Sequence, residues 1–334
     1  MENKNINRLQ EILKNAKGKK IFVIGDVMLD KYLLGDVNRI SPEAPVQVFD
    51  IQKSEHKFGG AANVSLNIKE LGAEPYLIGV IGSDNEGTIL LSEMTKLNKN
   101  TNGMITENSR PTTTKTRVIA DSHHLLRIDS ESKENISAET ENKILETLKN
   151  NSGKIDIIIL QDYNKGVLTK SLIGKVIQFA NDNKIKVLVD PKFYNFFEYK
   201  NVFLFKPNRK ELEEAFGKKA KDMQEIEKLA DELMGKMNCT YLVLTLGDKG
   251  VMLFEKTNGK TNIEKIETVA REVADVSGAG DTVISTIAVC LAGGATVSEA
   301  VKFANYAAGI VVEEVGIVPI TKDKLLNHLN EIKD

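Results

Sequence analysis

The segment DVSGAGDT, residues 275–282, places three small residues, Gly278, Ala279 and Gly280, directly before Asp281. The run DTVISTIAVCLAGG that follows predicts an apolar helix. The first amides of a helix have no partner within it and carry partial positive charge, so an anion can bind there when no bulky side chain intervenes. A carboxylate at the same point can accept a proton from an attacking hydroxyl. Together these groups could perform phosphoryl transfer.

A plainer interpretation of this segment involves no ligand. Ser277 would cap the helix, the glycines would form a tight turn, and Asp281 would complement the helix dipole. Aspartate is common in first helical turns, so Asp281 alone does not decide between the two interpretations. The bare amides and the carboxylate, directed at the same point, favour the transfer site.

The usual phosphate-binding loops are missing from the sequence. Residues 258–261, NGKT, resemble the end of a Walker loop, but the leading glycine would fall at Phe254. We therefore predict a hairpin turn at NGKT. No dinucleotide-binding fingerprint follows an early strand.

The elements that would position these residues alternate along the chain. Short apolar runs predict strands, and longer helical patterns such as 61–72, 169–182 and 222–236 lie between them. Most runs are apolar on both faces, as strands of a covered parallel sheet must be. We expect an α/β fold with a doubly wound, mainly parallel sheet and ligands at the carboxyl ends of its strands. The predicted strands are residues 20–26, 75–82, 155–160, 185–190, 202–206 and 240–246.

Two segments, 32–58 and 111–129, alternate like strands without helices between them. We expect them to form a small separate β-sheet, a lid over the ligand edge of the main sheet. No repeat, low-complexity segment or linker interrupts the chain, so residues 1–334 are expected to form one domain. Thr296 and Glu299 have the spacing of a capping box at the start of a later helix.

Composition excludes several classes of protein. The 334 residues are 41% hydrophobic, which is enough for a full core. With 45 basic and 47 acidic residues the net charge is −2, and no basic face for nucleic acid is expected. No apolar run reaches the length of a membrane span, and residues 1–20 lack the apolar core of a secretory signal. We expect a cytoplasmic protein that binds neither nucleic acid nor membranes.

Two smaller patterns concern the core. Apolar residues at helical spacing within residues 6–13 predict a short helix that packs on the rest of the chain. Cys239 and Cys290 lie in apolar strand and helix patterns. Buried free thiols are expected there rather than a disulfide.

Two segments of the sequence resemble the signature motifs of a known family. DVSGAGDT resembles the C-terminal signature of the ribokinase-like (PfkB) sugar kinases, and GGAANVSLNIKELGA, residues 59–73, resembles their N-terminal one. Either motif alone is moderately specific, whereas both in this order are strong. The resemblance covers essentially the whole chain and extends to GDVMLDKY (25–32), RISPEAPV (39–46), LQDYNKG (160–166), VDPK (189–192) and KPNRKE (206–211).

Within this family the same segments are most similar to kinases of D-glycero-β-D-manno-heptose 7-phosphate. The resemblance implies ATP-dependent phosphorylation of the anomeric hydroxyl, which gives the 1,7-bisphosphate for nucleotide-activated heptose and hence for lipopolysaccharide or another surface glycan. Many such kinases are joined to a nucleotidyltransferase domain, and here we expect the kinase alone. The alternatives are a kinase of another sugar or nucleoside and, from a different class, a non-catalytic sugar-phosphate sensor.

The resemblance also implies roles for residues. Asp281 would be the catalytic base, and the amides of Gly278, Ala279 and Gly280 would hold the γ-phosphoryl oxygens. The sugar would be bound by Asp30, Gly59, Gly60 and Asn63. The plain alternatives are a helix-entry cap at Asp30 and an ordinary turn at the two glycines. The role of the neighbouring Asp26 is left open.

On the nucleotide side, the run Asn208, Arg209, Lys210 and Glu211 would lie along the ATP phosphates, with Glu211 acting on Mg²⁺ through water. A capping box at Asn208 and Glu211 is compatible with this role. Further nucleotide contacts are implied for Thr245, Gly247 and Gly250. A monovalent cation such as K⁺ is a further expectation.

A phosphorylated sugar requires cations. Lys192, after a core strand, is the leading candidate, followed by residues of the lid and strand ends: Arg39, Lys115, Arg117 and Arg127. His123 and His124 would point to opposite faces of a strand, so they are expected to be polar lid residues and not metal ligands. Because lid strands often pair between subunits in this family, a homodimer through the lid is expected.

Overall fold

A computed structural model of the protein describes residues 2–98, 101–121, 123–257, 259–268 and 273–331, and the structural statements below concern these residues. Strands and helices are numbered along the chain. The strands are β1 (Lys20–Gly25), β2 (Val27–Ile40), β3 (Gln47–Gly60), β4 (Glu74–Ile81), β5 (Met104–Thr106), β6 (Thr114–Ala120), β7 (His123–Ser130), β8 (Ile157–Gln161), β9 (Lys186–Asp190), β10 (Leu204–Phe205), β11 (Tyr241–Thr245), β12 (Val251–Thr257) and β13 (Lys260–Ile266). The helices are α1 (Glu2–Ala16), α2 (Ala61–Glu70), α3 (Asn85–Asn98), α4 (Ala138–Asn150), α5 (Lys170–Asp182), α6 (Arg209–Phe216), α7 (Met223–Met237), α8 (Ala279–Ala292), α9 (Val297–Val312) and α10 (Lys322–Glu331).

The large sheet has the strand order β13-β12-β11-β10-β9-β8-β1-β4-β5. Neighbouring strands from β5 to β11 are parallel, and β12 and β13 add an antiparallel edge. Helices α1 to α3 and α8 to α10 pack on one face, and α4 to α7 pack on the other. The expected doubly wound α/β fold is confirmed, and each predicted strand of the large sheet is present.

The chain reverses its winding direction between β1 and β8. These two strands are neighbours, and Gly25 at the end of β1 lies opposite Gln161 at the end of β8. In doubly wound sheets such a switch point opens a crevice beyond the carboxyl ends of the strands. The functional side chains are therefore expected to line this crevice.

The predicted lid is a second sheet in the order β3-β2-β6-β7. Its strands cover most of the predicted segments 32–58 and 111–129, although β2 begins earlier, at Val27. The reason is that Asp26 alone separates β1 from β2, so the chain passes directly from the large sheet into the lid. The two neighbours of Asp26, Gly25 and Val27, thus belong to different sheets.

The smaller predictions are also confirmed. The apolar residues of α1 are at most 6% exposed: Ile6, Leu9, Ile12 and Leu13. Cys239 and Cys290 are buried free thiols, and burial raises the pKa of each to about 12. Strands β12 and β13 form a hairpin in which Thr257 pairs with Lys260, although Asn258 itself lies outside the described residues. In the described part of the chain, no helix is both long and apolar enough to cross a membrane.

Candidate active site

Helix α8 begins without a side-chain cap. Its N-cap residue is Gly278, in the left-handed conformation (φ 83°), and no side chain accepts a hydrogen bond from the first turn. A methyl group at this glycine would lie 3.1 Å from Asn63 Nδ2 and would crowd that amide. Ser277 is not the cap that the plainer interpretation required, because it precedes the N-cap residue and both its amide and its side chain bind Asp275. The amide end of α8 is therefore open.

The next two residues differ in what they offer an anion. The Ala279 amide already donates to the Val276 carbonyl, at a long 3.3 Å. A methyl group on Gly280 would meet Lys206 Nζ at 3.5 Å and Asp190 Oδ2 at 3.6 Å, which are ordinary contact distances. Packing within the protein therefore does not require glycine at position 280. The bare backbone there leaves room for a ligand beside the Lys206 ammonium.

Asp281, in the first turn of α8, is 2% exposed. Its Oδ1 accepts hydrogen bonds from Gln161 Nε2 (3.0 Å) and the Tyr163 hydroxyl (2.8 Å), and its Oδ2 accepts one from Asn63 Nδ2 (2.8 Å). A carboxylate that only complemented a helix dipole would need none of these donors and would lie at the surface. Its position is fixed by three other elements of the fold.

The surroundings of Asp281 also change its acidity. Burial raises the pKa of Asp281 to about 7, and the charge of Asp190 adds to the rise. Hydrogen bonds from Asn63 and Tyr163 and the charge of Lys206 act in the opposite direction. An ordinary aspartate has a pKa of about 3.9, so Asp281 is a much better proton acceptor near neutral pH than an exposed carboxylate.

Sequence reasoning assigned no role to three residues that complete this cluster. Gln161 Nε2 donates to Asp190 Oδ2 (3.1 Å) as well as to Asp281, and Lys206 Nζ forms a buried ion pair with Asp190 Oδ1 at 3.0 Å. Tyr163 is the third. All three lie at or just beyond the ends of buried strands, within the quoted motifs LQDYNKG and KPNRKE. Polar residues at the end of a buried strand were the signal that could have identified them.

Asp26, whose role was open, anchors the Tyr163 loop. It is 1% exposed, and its carboxylate accepts hydrogen bonds from the amides of Tyr163 (2.7 Å), Lys165 (3.0 Å) and Val167 (3.2 Å). These bonds tie the loop after β8 to the end of β1 at the switch point. Asp26 therefore positions the tyrosine that contacts Asp281.

The predicted sugar-binding residues converge on the lid side of Asp281. Asp30 lies in β2, is 2% exposed and forms an ion pair with Arg117 Nη1, so the helix-entry cap considered for it is wrong. A side chain at Gly59 would collide with the Asp30 carboxylate, and one at Gly60 would collide with the Asp26 carbonyl. Both glycines are needed for this close approach, whatever ligand binds.

On the side of the site away from the lid, Asn208 and Glu211 form the expected capping box of α6. Asn208 Oδ1 accepts from the Glu211 amide and Glu211 Oε2 accepts from the Asn208 amide, each at 2.8 Å. Glu211 Oε1 forms an ion pair with Lys192, whose Nζ lies 5.4 Å from the centre of the Tyr163 ring. Lys192 is thus held on the α6 side of Tyr163.

The remaining nucleotide-side positions lie around the end of β11. Thr245 forms a parallel bridge with Asn208, and its amide donates to the Pro207 carbonyl at 3.1 Å. Gly250 (φ 81°) cannot carry a side chain, because it would collide with the Ile266 carbonyl. Gly247 (φ 65°) has open space beside it.

Four predicted cations are not brought to the Asp281 cluster. Arg209 binds Glu213 Oε1 (2.8 Å) and the Ala220 carbonyl (2.9 Å), and Lys210 is 83% exposed. Arg127 pairs with Asp129 on the edge strand and Arg39 pairs with Asp50 at the far end of the lid, and both are mostly exposed.

The two adjacent histidines, His123 and His124, are exposed on the edge strand β7. Within the described ranges, no group of three His, Cys, Asp or Glu residues could hold a metal ion. A dedicated metal centre is therefore not formed by these residues alone.

Known proteins share this arrangement of elements. The Arabidopsis thaliana ribokinase complexed with ribose and ATP has a TM-score of 0.72 and 19% identity, over 94% of this chain and 99% of that one. Escherichia coli phosphofructokinase-2 in complex with substrates and products has a TM-score of 0.74 and 17% identity, over 95% and 100%. At these identities the likeness shows a common ribokinase-like fold.

Curated relatives are considerably more similar in sequence. Two, both named bifunctional protein HldE, come from Aliarcobacter butzleri (42% identical over 313 residues) and Geobacter sulfurreducens (38% over 329 residues). The matches cover 94% and 98% of this chain but 65% and 66% of those relatives. The chain thus spans about two thirds of the length of the curated relatives it matches. The resemblance inferred from the motifs is confirmed.

The model of the pfkB family of carbohydrate kinases matches residues 18–323. This range includes the open start of α8, the buried Asp281 and the capping box of α6. The chain belongs to the pfkB family of carbohydrate kinases, and it is a phosphotransferase that acts on a sugar hydroxyl.

Proposed function

We propose that the protein transfers the γ-phosphoryl group of ATP to the anomeric hydroxyl of D-glycero-D-manno-heptose 7-phosphate. The product would be the 1,7-bisphosphate, a precursor of nucleotide-activated heptose for lipopolysaccharide or another surface glycan. Membership of the family implies ATP and usually Mg²⁺. A need for ATP also supports a cytoplasmic location.

The observation that carries the phosphoryl-transfer part is the buried Asp281 at the open start of α8. Oδ1 already accepts two hydrogen bonds, whereas Oδ2 accepts one, from Asn63. A carboxylate oxygen can accept two, so Oδ2 is the oxygen available to the attacking hydroxyl. Asp281 would orient that hydroxyl and take its proton as the oxygen bonds to phosphorus.

The transferring group would be held opposite this base. The open amides of Gly278 and Gly280 could donate hydrogen bonds to an anion, and Lys206 lies beside Gly280. These groups would stabilise the charge on the transferring phosphoryl oxygens without reorganisation, because the helix start and the Lys206–Asp190 pair are already fixed.

The nucleotide would lie toward α6. A bound Mg²⁺ would neutralise phosphate charge, and Glu211 is suited to hold it through water because a carboxylate is a hard oxygen ligand with further lone pairs. The Glu211 contacts to Asn208 and Lys192 fix the direction of that carboxylate.

Two findings support a heptose phosphate as the substrate. The segments RISPEAPV and VDPK resemble those of heptose-phosphate kinases, and the relatives at about 40% identity carry a name that states two activities. We propose that the matched part performs the kinase step and that a nucleotidyl transfer consumes its product.

A homodimer through the lid is part of the proposal. Apolar side chains are exposed on the lid strands: Ile40 (70%), Ile51 (58%), Leu126 (58%) and Ile128 (52%). Such a patch is typical of a surface that a partner covers. Light scattering should give twice the mass of the chain at micromolar concentration, and a monomer would contradict this part.

The function is tested by a phosphorylation screen over sugars and sugar phosphates, with the position of the new phosphate assigned by NMR. We expect D-glycero-D-manno-heptose 7-phosphate to be the best acceptor and C1 to be the modified carbon. Asp281→Asn serves as the inactive control. A neutral sugar or nucleoside that is turned over best, or phosphate added elsewhere, would contradict the proposal.

A further inference from the structure

One face of the lid sheet is turned toward the proposed active site. Tyr32 lies on this face, and its hydroxyl accepts a hydrogen bond from the backbone of Ile317, next to the start of α8. Paired residues of neighbouring strands share a face, so the register identifies the other members. Two rows form what we call the lid face: Lys57–Asp30–Lys115–Asp129 and Glu55–Tyr32–Arg117–Arg127.

Most charges of the lid face are neutralised by a neighbour. Arg117 pairs with Asp30, and Lys115 lies 3.4 Å from Asp129 and 3.5 Å from Glu131. Arg127 pairs with Asp129 as well, at 3.0 Å. Glu55 is bound by Lys53 at 2.5 Å, farther along the same strand. The carboxylates of this face are therefore all occupied.

Lys57 is the exception. Throughout the described part of the chain, no carboxylate lies within ion-pair distance of its ammonium. Lys57 is half-buried, and its Nζ lies over the Tyr32 ring, 5.2 Å from the centre, while the Arg117 guanidinium lies at the same distance from that ring. Two cations thus flank one aromatic ring, and among the described residues a carboxylate pairs with Arg117 but not with Lys57.

Lys57 lies near the loop that packs against the start of α8. A methyl group on Gly316 would be 3.2 Å from Lys57 Nζ, and the neighbouring Ile317 packs within 3.5 Å of the equivalent position on Gly278. Asp275, the carboxylate on this loop side, accepts hydrogen bonds from the amides of Ser277 and Gly316. The Lys57 ammonium therefore lies between the lid face and the loop that packs against the start of α8.

We propose that Lys57, together with Arg117, binds the phosphate group of the substrate that does not react. This inference rests on the proposed function, in which the sugar carries a phosphate at the carbon farthest from the attacked hydroxyl. Asp30, the cross-strand neighbour of Lys57, would bind sugar hydroxyls between the two ends. A phosphate carries about −1.5 to −2 charges at pH 7, which matches one free and one shared cation.

Lys192 fits this role less well than the sequence predicted. It is paired with Glu211 and lies over Tyr163, on the α6 side. Lys57, by contrast, shares a face with Asp30 and forms no ion pair with any described residue. No sequence pattern distinguished it, because its neighbours come from β2, β6 and the loop at Gly316.

The test compares Lys57→Met with Lys53→Met, a lysine four residues earlier on the same strand and face but 65% exposed. Each variant and the wild type are assayed with heptose 7-phosphate and with unphosphorylated heptose. Lys57→Met should lower kcat/KM for the phosphorylated sugar by about tenfold or more, mainly through KM, and leave the neutral sugar nearly unchanged. Lys57→Arg should restore most of the preference, and Lys53→Met should behave like the wild type.

The outcomes separate the two claims. If the wild type prefers heptose 7-phosphate and Lys57→Met keeps that preference, the assignment of Lys57 is wrong while the proposed function stands. If the wild type uses both sugars equally, the proposed function itself fails. Thermal unfolding and ATP titration check that the variants are folded, and Lys57→Gln replaces Lys57→Met if that variant does not fold.

Discussion

Helices α8 and α9 both begin with a carboxylate in their first turn, yet the two carboxylates have opposite properties. Glu299 of α9 completes a capping box with Thr296 and binds Arg8, and these hydrogen bonds lower the pKa of Glu299 to about 2. Asp281 of α8 has no capping role, and burial raises its pKa to about 7. The helix dipole favours the charged form at both sites, so it cannot explain the difference.

The difference depends on whether side chains accept hydrogen bonds from the first backbone amides of each helix. At α9 two side chains use up the first amides and an arginine neutralises the acid, which makes the site a source of stability. At α8 a glycine leaves the amides of Gly278 and Gly280 open, and the acid is enclosed by neutral donors and a second carboxylate. A closed helix start stabilises the fold, whereas an open one remains available to a ligand.

The largest effect should come from Asp281→Asn. The change keeps the shape but removes the proton acceptor, so kcat should fall by about 10²–10⁴-fold while ATP and sugar-phosphate affinities stay within a few-fold. Steady-state kinetics and calorimetric titration measure both. If the variant keeps most of its turnover, Asp281 is only a structural acid like Glu299.

Gly278→Ala tests whether the glycine start itself matters. The methyl would crowd Asn63 Nδ2 and so disturb a donor to Asp281, and kcat should fall about tenfold. Gly294→Ala is the matched control, because its φ is also positive (87°) but the space beside it is open. Both variants should lose about 1–2 kcal/mol of unfolding free energy from backbone strain. Equal activity in the two variants would contradict a role for the open start.

Tyr163→Phe should have a smaller effect, visible in the pH profile. The tyrosine hydroxyl lowers the pKa of Asp281, so its removal raises that pKa further. Because the base must be ionised, the acidic limb of kcat/KM should shift to higher pH and activity at pH 7 should drop a few-fold. The wild type with the same substrate is the reference. An unshifted limb would mean that Tyr163 serves packing alone.

Glu299→Gln should change activity least. The depressed pKa of Glu299 means that its stabilising effect is present above the unfolded-state pKa of about 4.3 and is lost as pH falls toward 2. The variant should therefore lose about 1 kcal/mol of unfolding free energy at pH 7, and less below pH 4, with kcat unchanged. Denaturant unfolding at several pH values measures this. A loss of turnover would show that the two helix starts are coupled.

Local sequence patterns predicted many of the features that distinguish the two helix starts. The capping boxes at Thr296 and Asn208, the glycines before Asp281 and the buried strands all follow from residues close together in the sequence. Strand β5 was not predicted, because it is only three residues long, and β12 and β13 were predicted only indirectly, through the hairpin turn at residues 258–261.

The remaining features depend on contacts between distant parts of the chain. Tyr163 and Asp281 are 118 positions apart, and Asn63 and Asp281 are 218 apart. Whether an aspartate is buried, and by what it is surrounded, is decided only when those segments meet. That Lys57 has no ion-pair partner in the described part of the chain likewise becomes visible only after the ion pairs of the lid face are assigned.

The most direct test of the central claim is a titration of the Asp281 carboxyl carbon itself. Spectra of the ¹³C-aspartate-labelled protein, with Asp281→Asn used to assign the signal, report its ionisation without interference from a substrate phosphate. We expect this signal to titrate near pH 7, far above the roughly 3.9 of an ordinary aspartate. A titration near pH 4 would contradict the account, because Asp281 would then be an ordinary helix-start acid.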